Sequence, residues 1–514
     1  MQYDYVIVGA GSSGCVLAAR LSADPSVKVL LLEAGGADRK LEVRVPAAFT
    51  KLFKTRFDWD HHTVGQPEMA GREMYWPRGK ALGGCSTINA QMWVRGHRAD
   101  YDGWNLPGWS YEEVLPYFRR AERRAGSNHG GVYGTDGPIH ISELRTPNVA
   151  TAAFLRACEE VGIARLPELN GPSNEGCAQT PVTQDRGRRW SAADAYLRPA
   201  MSRPNLTVLT AAHARRILLD EDGRATGVEF GAGRRATASR EVIVSAGTIG
   251  SPRLLMLSGI GDPGELRAAG VTPRHELPGV GRNLSDHLAS AVMMRCPRPI
   301  TLAGAETVGN LARFLVGRRG MLTSNIGEAV AFLRTTPEEP APDIELIFAP
   351  VPFADHGLTR PAGHGLSIGV ILLRPESRGR VTLDGEDVAI DPAYLTAGAD
   401  LRRMLAGLKK AREVFAAAAL RPYTDGPMAP YAGEESDEEL ARFTREHGET
   451  LYHPVGTCRM GVDDDAVVDP SLRVIGVPGL RVVDASVMPA LNRGHTHAPA
   501  IMIAERAADL IRAS

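Results

Sequence analysis

Six cysteines in 514 residues are too few and too scattered for a disulfide framework. Cys15, Cys85, Cys158, Cys177, Cys296 and Cys458 contain no CxxC pair, which also argues against a structural zinc site and fits a reducing compartment. Neither sign of charge dominates. The 59 basic residues nearly cancel the 60 acidic ones, so no global field draws the chain onto nucleic acid or an anionic membrane, and small, locally recognised partners are expected. No apolar run reaches the roughly 18 residues of a membrane span. The opening MQYDYVIVGAG starts on an apolar strand and leaves no room for a signal peptide. A cytoplasmic protein is the expectation, with peripheral membrane contact left open. What is present, 43% hydrophobic and 23% charged residues, is the balance of a globular chain with two or three domains' worth of core.

The first chemistry lies at the amino terminus. YDYVIVGAGSSGCVLAARLSADPSVKVLLLEAGG reads as a strand, a turn with Gly9, Gly11 and Gly14, a helix, and a second strand ending at Glu33. This is a βαβ unit for a dinucleotide. Gly9 permits the tight turn, Gly11 lets backbone approach a pyrophosphate, and Gly14 lets the helix pack on the strand. The free N–H groups of the helix start favour the phosphates, and Glu33 can accept hydrogen bonds from the adenosine ribose. The fingerprint alone does not separate NAD from FAD.

Three more segments carry the same signal. WPRGKALGGCSTINAQMWVRG holds Gly79, Gly83, Gly84 and small neighbours, a loop suited to lying against a flat or charged ligand. EVIVSAGTIGSPRLLMLSGIG is read as a strand ending near Ser245, an Ala246-Gly247 turn, and a helix opened by Pro252. GLRVVDASVMP puts a third strand, Arg481 to Val483, into a loop at Asp484. Strands from distant parts of the chain therefore end in small or acidic residues, where cofactors bind in a parallel sheet.

Together with GVGRNLSDH, YHPVGTCRMG and the terminal APAIMIAERAADLI, these motifs resemble the glucose-methanol-choline (GMC) family of FAD-dependent oxidoreductases, over nearly the whole chain. The match is best to its bacterial alcohol- and choline-dehydrogenase-like branch. The resemblance implies an α/β fold with a Rossmann-like FAD-binding domain, discontinuous over 1–150, 200–300 and 453–514. A smaller sheet-and-helix substrate-binding cap would cover 151–199 and 301–452. It assigns to the cofactor Gly9, Gly11, Ser12, Ser13, Gly14, Glu33, Ala34 and Gly35 of the first unit. The glycine-rich loop contributes Gly79, Gly83, Gly84, Ser86, Asn89, Ala90, Gln91 and Met92, and the later strand ends Ala246, Gly247, Asp484, Ala485 and Pro499. Cys85 replaces the small Gly, Ser or Thr usual in the family. Some members bind the flavin covalently through a histidine before the asparagine; Ile88 stands there, which implies non-covalent FAD.

The resemblance carries the catalytic role onto His453 of LYHPVGTCRMG, with His497 of RGHTHAP as its partner where many relatives have asparagine. A neutral imidazole suits removal of an alcohol's hydroxyl proton as hydride passes to the flavin. A second imidazole can stabilise the developing alkoxide. Such a pair should titrate as a coupled unit and make activity sensitive to pH. His495 is as readily a loop residue as a direct substrate contact. A metal bound by His453, His495 and His497 is disfavoured because no cysteine or acidic cluster joins them, so no metal is expected. His61, His62, His356 and His364 are read as solvated or structural.

In the cap, IELIFAPVPF, LSIGVILLRPESRGRVTLDG and a long helix from about Asp400 to Leu420 alternate without a second nucleotide fingerprint. The terminal helix, read from Pro499 onward, puts Ile503, Ala507, Leu510 and Ile511 on one face, and EESDEEL is a solvated helix start. Glu328 in SNIGEAVAF matches the spacing around a glutamate that some choline-oxidising relatives use for the substrate cation; a structural carboxylate is equally consistent. The preferred function is oxidation of an alcohol to an aldehyde or ketone. Another flavin reaction on this fold, lyase-like or light-driven, and an NAD-dependent or non-catalytic dinucleotide-binding protein are the alternatives. Quinone, carrier protein or O2 as electron acceptor, the identity of the alcohol, and the oligomeric state stay open.

Overall fold

A computed structural model describes residues 2–128, 130–359 and 361–513. Its amino-terminal unit has the expected order: β1 (Gln2–Val8), α1 (Ser12–Leu21) and β2 (Val29–Leu32). β1 and β2 pair in parallel, flanked by the parallel strands Leu206–Leu209 and Arg234–Val244, with Leu480–Val482 next to the latter. Continuous Val, Ile and Leu runs suit these strands because helices and loops cover both faces. Val6, Ile7, Leu30, Leu31, Val242 and Ile243 are fully buried. The eleven-residue strand Arg234–Val244 has two roles. Its amino-terminal half pairs antiparallel with Ala225–Phe230, while Glu241–Val244 pairs parallel with β1.

The carboxyl ends of β1, β2, Arg234–Val244 and Leu480–Val482 open onto one side of the sheet. The helix there runs Gly247–Leu257, five residues earlier than a start at Pro252 would put it. Pro252 sits inside it and cannot donate to the carbonyl of Thr248. The Thr457 hydroxyl donates to that carbonyl instead, at 2.6 Å, so the helix continues through the proline.

The second sheet is antiparallel, in the order Glu449–Thr450, Leu288–Arg295, Gly365–Leu372, Ile344–Ala349, Ala329–Leu333 and Gly176–Gln179. Leu288–Arg295 therefore belongs to the cap sheet, not to the dinucleotide unit where a boundary at 300 placed it. It pairs over seven residues with Gly365–Leu372. Strand periodicity divides the sheet cleanly. Ile344, Leu346, Phe348, Leu366, Ile368 and Val370 are fully buried on the face covered by the helix Gly398–Ala416. Their alternates Ile347, Ala349, Ser367, Gly369 and Ile371 line a cavity between the two sheets. The terminal helix His497–Arg512 returns to α1, where Glu505 accepts from Arg20, Arg120 and the Tyr196 hydroxyl.

Candidate active site

One cavity of about 1330 Å³ runs from the glycine turn after β1 to the inner face of the cap sheet. Ligand pockets are typically about 300–1,000 Å³, so there is room for a dinucleotide and a further small molecule. Gly9 turns at φ +99°, and a Cβ there would lie 2.4 Å from the Ser245 carbonyl oxygen. Gly84 brings the glycine-rich loop onto this turn: a Cβ on it would sit 2.7 Å from Gly11 Cα. Glu33 at the end of β2 accepts from the Ala10 and Gly35 N–H groups at 2.9 and 2.8 Å. Burial pushes its carboxyl up to about 7 against those donors. Asp484 accepts from the Gly247 N–H and Ser251 hydroxyl, fixing the start of the second glycine-bearing helix.

Most of the expected cofactor residues reach the cavity wall: Gly9, Gly11, Ser12, Ser13, Glu33 and Ala34 from the first unit, and Gly79, Gly84, Ser86, Asn89, Ala90, Gln91 and Met92 from the loop. Ala246, Gly247, Asp484 and Ala485 do so from the later strand ends. Gly14, Gly35, Gly83 and Pro499 do not line it, and their roles are in packing. Gly14 lies against the Gly9 carbonyl, Gly35 against the Lys80 carbonyl, and Gly83 against the Thr87 side chain. Pro499 is the third residue of the terminal helix, which begins at His497 rather than at the proline. The wall also carries buried polar atoms without a protein partner: Ser245 Oγ, Gln91 Nε2, Asn325 Oδ1 and His497 Nε2. Buried polar groups in native structures are paired, so these atoms and the glycine cradle fit a bound FAD. Ile88, buried among Phe49, Phe53 and Tyr75, has no group that could bond a flavin covalently.

His453, His495 and His497 all line the cavity, but the pairing differs from the expected one. The ring of His495, not that of His497, packs on His453, edge to face with centroids 5.0 Å apart. His497 is the first residue of the terminal helix, so its ring is carried toward α1. There Nδ1 lies 3.0 Å from the Ser12 hydroxyl and the ring meets Trp93 edge-on. Burial, then Arg189, lowers its pKa to about 4. His495 lies in the loop before the helix, where its N–H bonds the Val94 carbonyl and its Nε2 lies 3.0 Å from Glu345 Oε1. Strand alternation turns Glu345 to the cavity face, opposite Ile371.

His453 is held by a third histidine that the sequence reading left unassigned. His453 Nδ1 lies 2.9 Å from Nδ1 of His287, whose Nε2 lies 3.1 Å from the Leu373 carbonyl oxygen. Burial and then the neighbouring His495 depress His287 to about 3. Burial, His495 and His287, in that order, hold His453 well below 6.5. Both rings are therefore neutral near pH 7, with one proton each. A carbonyl only accepts, so the His287 proton is on Nε2 and its Nδ1 is bare. The proton between the two Nδ1 atoms is then that of His453, and His453 Nε2 is left as a free lone pair. Asp286 fixes the backbone beside it by accepting the His453 N–H at 2.7 Å, with the Thr450 and Tyr394 hydroxyls on its other oxygen.

Glu328 does not face the cavity. It is buried, and its two oxygens accept from the Asn148 N–H at 2.7 Å, the Thr151 hydroxyl at 2.6 Å and the Ser324 hydroxyl at 2.6 Å. Asn148 caps the helix Val149–Glu160, so the carboxylate anchors a helix start, where negative charge is favoured. A role toward a substrate cation is thereby corrected. Of the histidines read as solvated or structural, His61 and His62 line the cavity, while His356 is buried against the Tyr452 hydroxyl and His364 bonds Thr301. No cluster of metal-ligating side chains occurs among the described residues.

Comparison with known proteins gives consistent results. Family models for GMC oxidoreductase match residues 3–289 and 375–504. An uncharacterised GMC-type oxidoreductase of Mycobacterium tuberculosis is 51% identical over 99% of each chain. An alcohol dehydrogenase [acceptor] of Pseudomonas putida is 40% identical over 99% of this chain and 95% of its own. Human mitochondrial choline dehydrogenase is 41% identical over 99% and 90%. Among solved structures, pyridoxine 4-oxidase from Mesorbium loti superposes with a TM-score of 0.90 at 34% identity, over 100% of this chain and 99% of that one.

Proposed function

This chain belongs to the GMC oxidoreductase family, FAD-dependent enzymes acting on CH–OH donors, and on that premise we propose that it oxidises an apolar primary or aromatic alcohol to the aldehyde. The observation that carries the reading is the bare Nε2 of His453 at the cavity wall, its tautomer fixed through His287 by the Leu373 carbonyl. His453 takes the hydroxyl proton on that nitrogen. A neutral, positioned imidazole contributes about 10²–10⁴-fold to such a transfer. His495, anchored through Nε2 to Glu345, offers its remaining ring nitrogen as the second contact to the alcohol oxygen. Bound FAD supplies the two-electron sink for the hydride leaving the alcohol carbon.

The preference for an uncharged substrate rests on the apolar positions of the cap sheet, since Glu345 on the same face is bound to His495. Ala289, Ala291, Ile347, Ala349, Gly369 and Ile371 form a small-residue, apolar wall, with Phe49, Phe53 and Phe353 further along. Glu328, the carboxylate suited by spacing to a choline cation, is saturated by Asn148 and Thr151 at the start of a neighbouring helix and by the Ser324 hydroxyl. A quinone or carrier acceptor makes the enzyme a dehydrogenase, and dioxygen makes it an oxidase. Anaerobic mixing of the purified flavoprotein with benzyl alcohol, a long-chain primary alcohol and choline tests the substrate class. The first two bleach the flavin rapidly and choline slowly; the reverse order refutes the proposed specificity. Adding O2 or a quinone to the reduced protein then identifies the acceptor.

A further inference from the structure

The helix Val308–Gly317 turns its apolar stripe outward. Val308, Leu311, Ala312, Leu315 and Val316 follow the spacing i, i+3, i+4, i+7, i+8, which in a surface helix marks the face that packs on the core. Here that face is in solvent: Val308 is 86% and Val316 91% exposed, with Leu315 and Leu311 also exposed. Only Phe314 is buried, in a small cluster with Val45, Ala48 and Leu322. The helix is well formed, its start capped by the Thr307 side chain accepting the Asn310 N–H. An apolar stripe of this kind at the surface marks an interaction site.

The charges around the stripe indicate what covers it. The segment 307–320 contains Arg313, Arg318 and Arg319 and no acidic residue. Arg145 lies beside the turn that ends the helix: a Cβ added at Gly187 would meet both the Arg318 carbonyl and the Arg145 side chain. Glu306, just before the helix, is paired with Lys51. An apolar helical face flanked by arginines is the pattern of a helix lying in a bilayer interface, where apolar residues enter the acyl boundary and cations meet anionic headgroups. A second copy of the chain complements it poorly, because twofold packing would bring each arginine set against its own copy.

The helix also adjoins the site. Phe314 rests on the 3-10 turn Pro46–Leu52, whose Phe49 lines the cavity. The loop 353–359, also on the cavity wall, packs on Thr50 of the same turn through Gly357. We infer that the helix Val308–Gly317 seats the enzyme on an anionic lipid surface and thereby presents the mouth of the cavity to compounds dissolved in the membrane. This stands apart from the alcohol chemistry proposed above.

The test is co-sedimentation of the full-length holoenzyme with phosphatidylcholine vesicles, with and without phosphatidylglycerol. Wild type binds the anionic vesicles, and binding falls about tenfold or more in Leu315→Glu/Val316→Glu and in Arg313→Glu/Arg319→Glu. Both variants keep the wild-type flavin spectrum and the wild-type rate of bleaching by a water-soluble alcohol, which separates this result from failure to fold and from failure of the proposed chemistry. Absence of binding by wild type, or equal binding by the variants, overturns the inference. So does light scattering that shows a wild-type dimer made monomeric by Leu315→Glu/Val316→Glu, which would identify the stripe as a contact between copies.

Discussion

The Nδ1 atoms of His453 and His287 lie 2.9 Å apart, and because His287 spends its only proton on the Leu373 carbonyl, His453 must donate across that gap. The geometry makes His287 a positioning residue that selects the tautomer of His453, the proposed base, without itself lining the cavity. In His287→Leu the hold is lost, and the reductive half-reaction slows by about 10²-fold or more with KM little changed. His287→Gln restores most of the rate, since its amide oxygen can accept from His453 Nδ1. Stopped-flow bleaching at saturating alcohol checks both. A purely structural role for His287 would leave the two variants equally impaired.

His495→Ala and His497→Ala separate two histidines that are two residues apart. His495 packs on His453, so its loss slows bleaching by about 10²-fold. His497 contacts Ser12 at the start of α1, so its loss shifts the flavin spectrum and weakens FAD retention, with less than about a tenfold effect on the chemical step. Spectra and single-turnover rates of the two variants provide the comparison.

The pH dependence follows from the burial of His453. A histidine base works in its neutral form, and burial with His495 and His287 nearby holds His453 well below 6.5. Its neutral form therefore persists as pH falls through 6.5, and the acid limb of kcat/KM lies below that value. A limb at or above 6.5 would assign the proton transfer to a different group.

Glu328→Gln tests the carboxylate's place in the fold. Two hydroxyls and an N–H donate to it, and an amide would set its own N–H against one of these donors. The variant loses about 1–3 kcal/mol of stability, read as a lower Tm, while KM values for choline and for benzyl alcohol move together or not at all. A rise in KM confined to choline would return Glu328 to the substrate site.

Much of this was legible in the chain, and the reasons are local. Gly9, Gly14 and Glu33 sit at fixed offsets between two apolar runs, and the structure uses Gly14 and Glu33 within that βαβ unit, while Gly9 makes its turn there and also lies against Ser245 of a later strand. The reading failed where a side chain's role depends on a distant element. The resemblance puts the partner of His453 at His497, but the terminal helix starts at that residue, which sends its ring toward α1 and Ser12 and leaves the loop residue His495 packed on His453. Glu345 does carry a sequence signal: a lone acid at an alternate position in the apolar strand IELIFA must find a buried partner. Nothing local to GVGRNLSDH marks a role for His287, because its two partners lie 86 and 166 residues away.

The proposed joint activation of an alcohol by His453 and His495 is measured most directly by the rate of anaerobic flavin bleaching. With benzyl alcohol and matched flavin content, His453→Ala and His495→Ala are each expected to bleach about 10²-fold or more slowly than wild type. Bleaching of both variants at the wild-type rate would contradict the account.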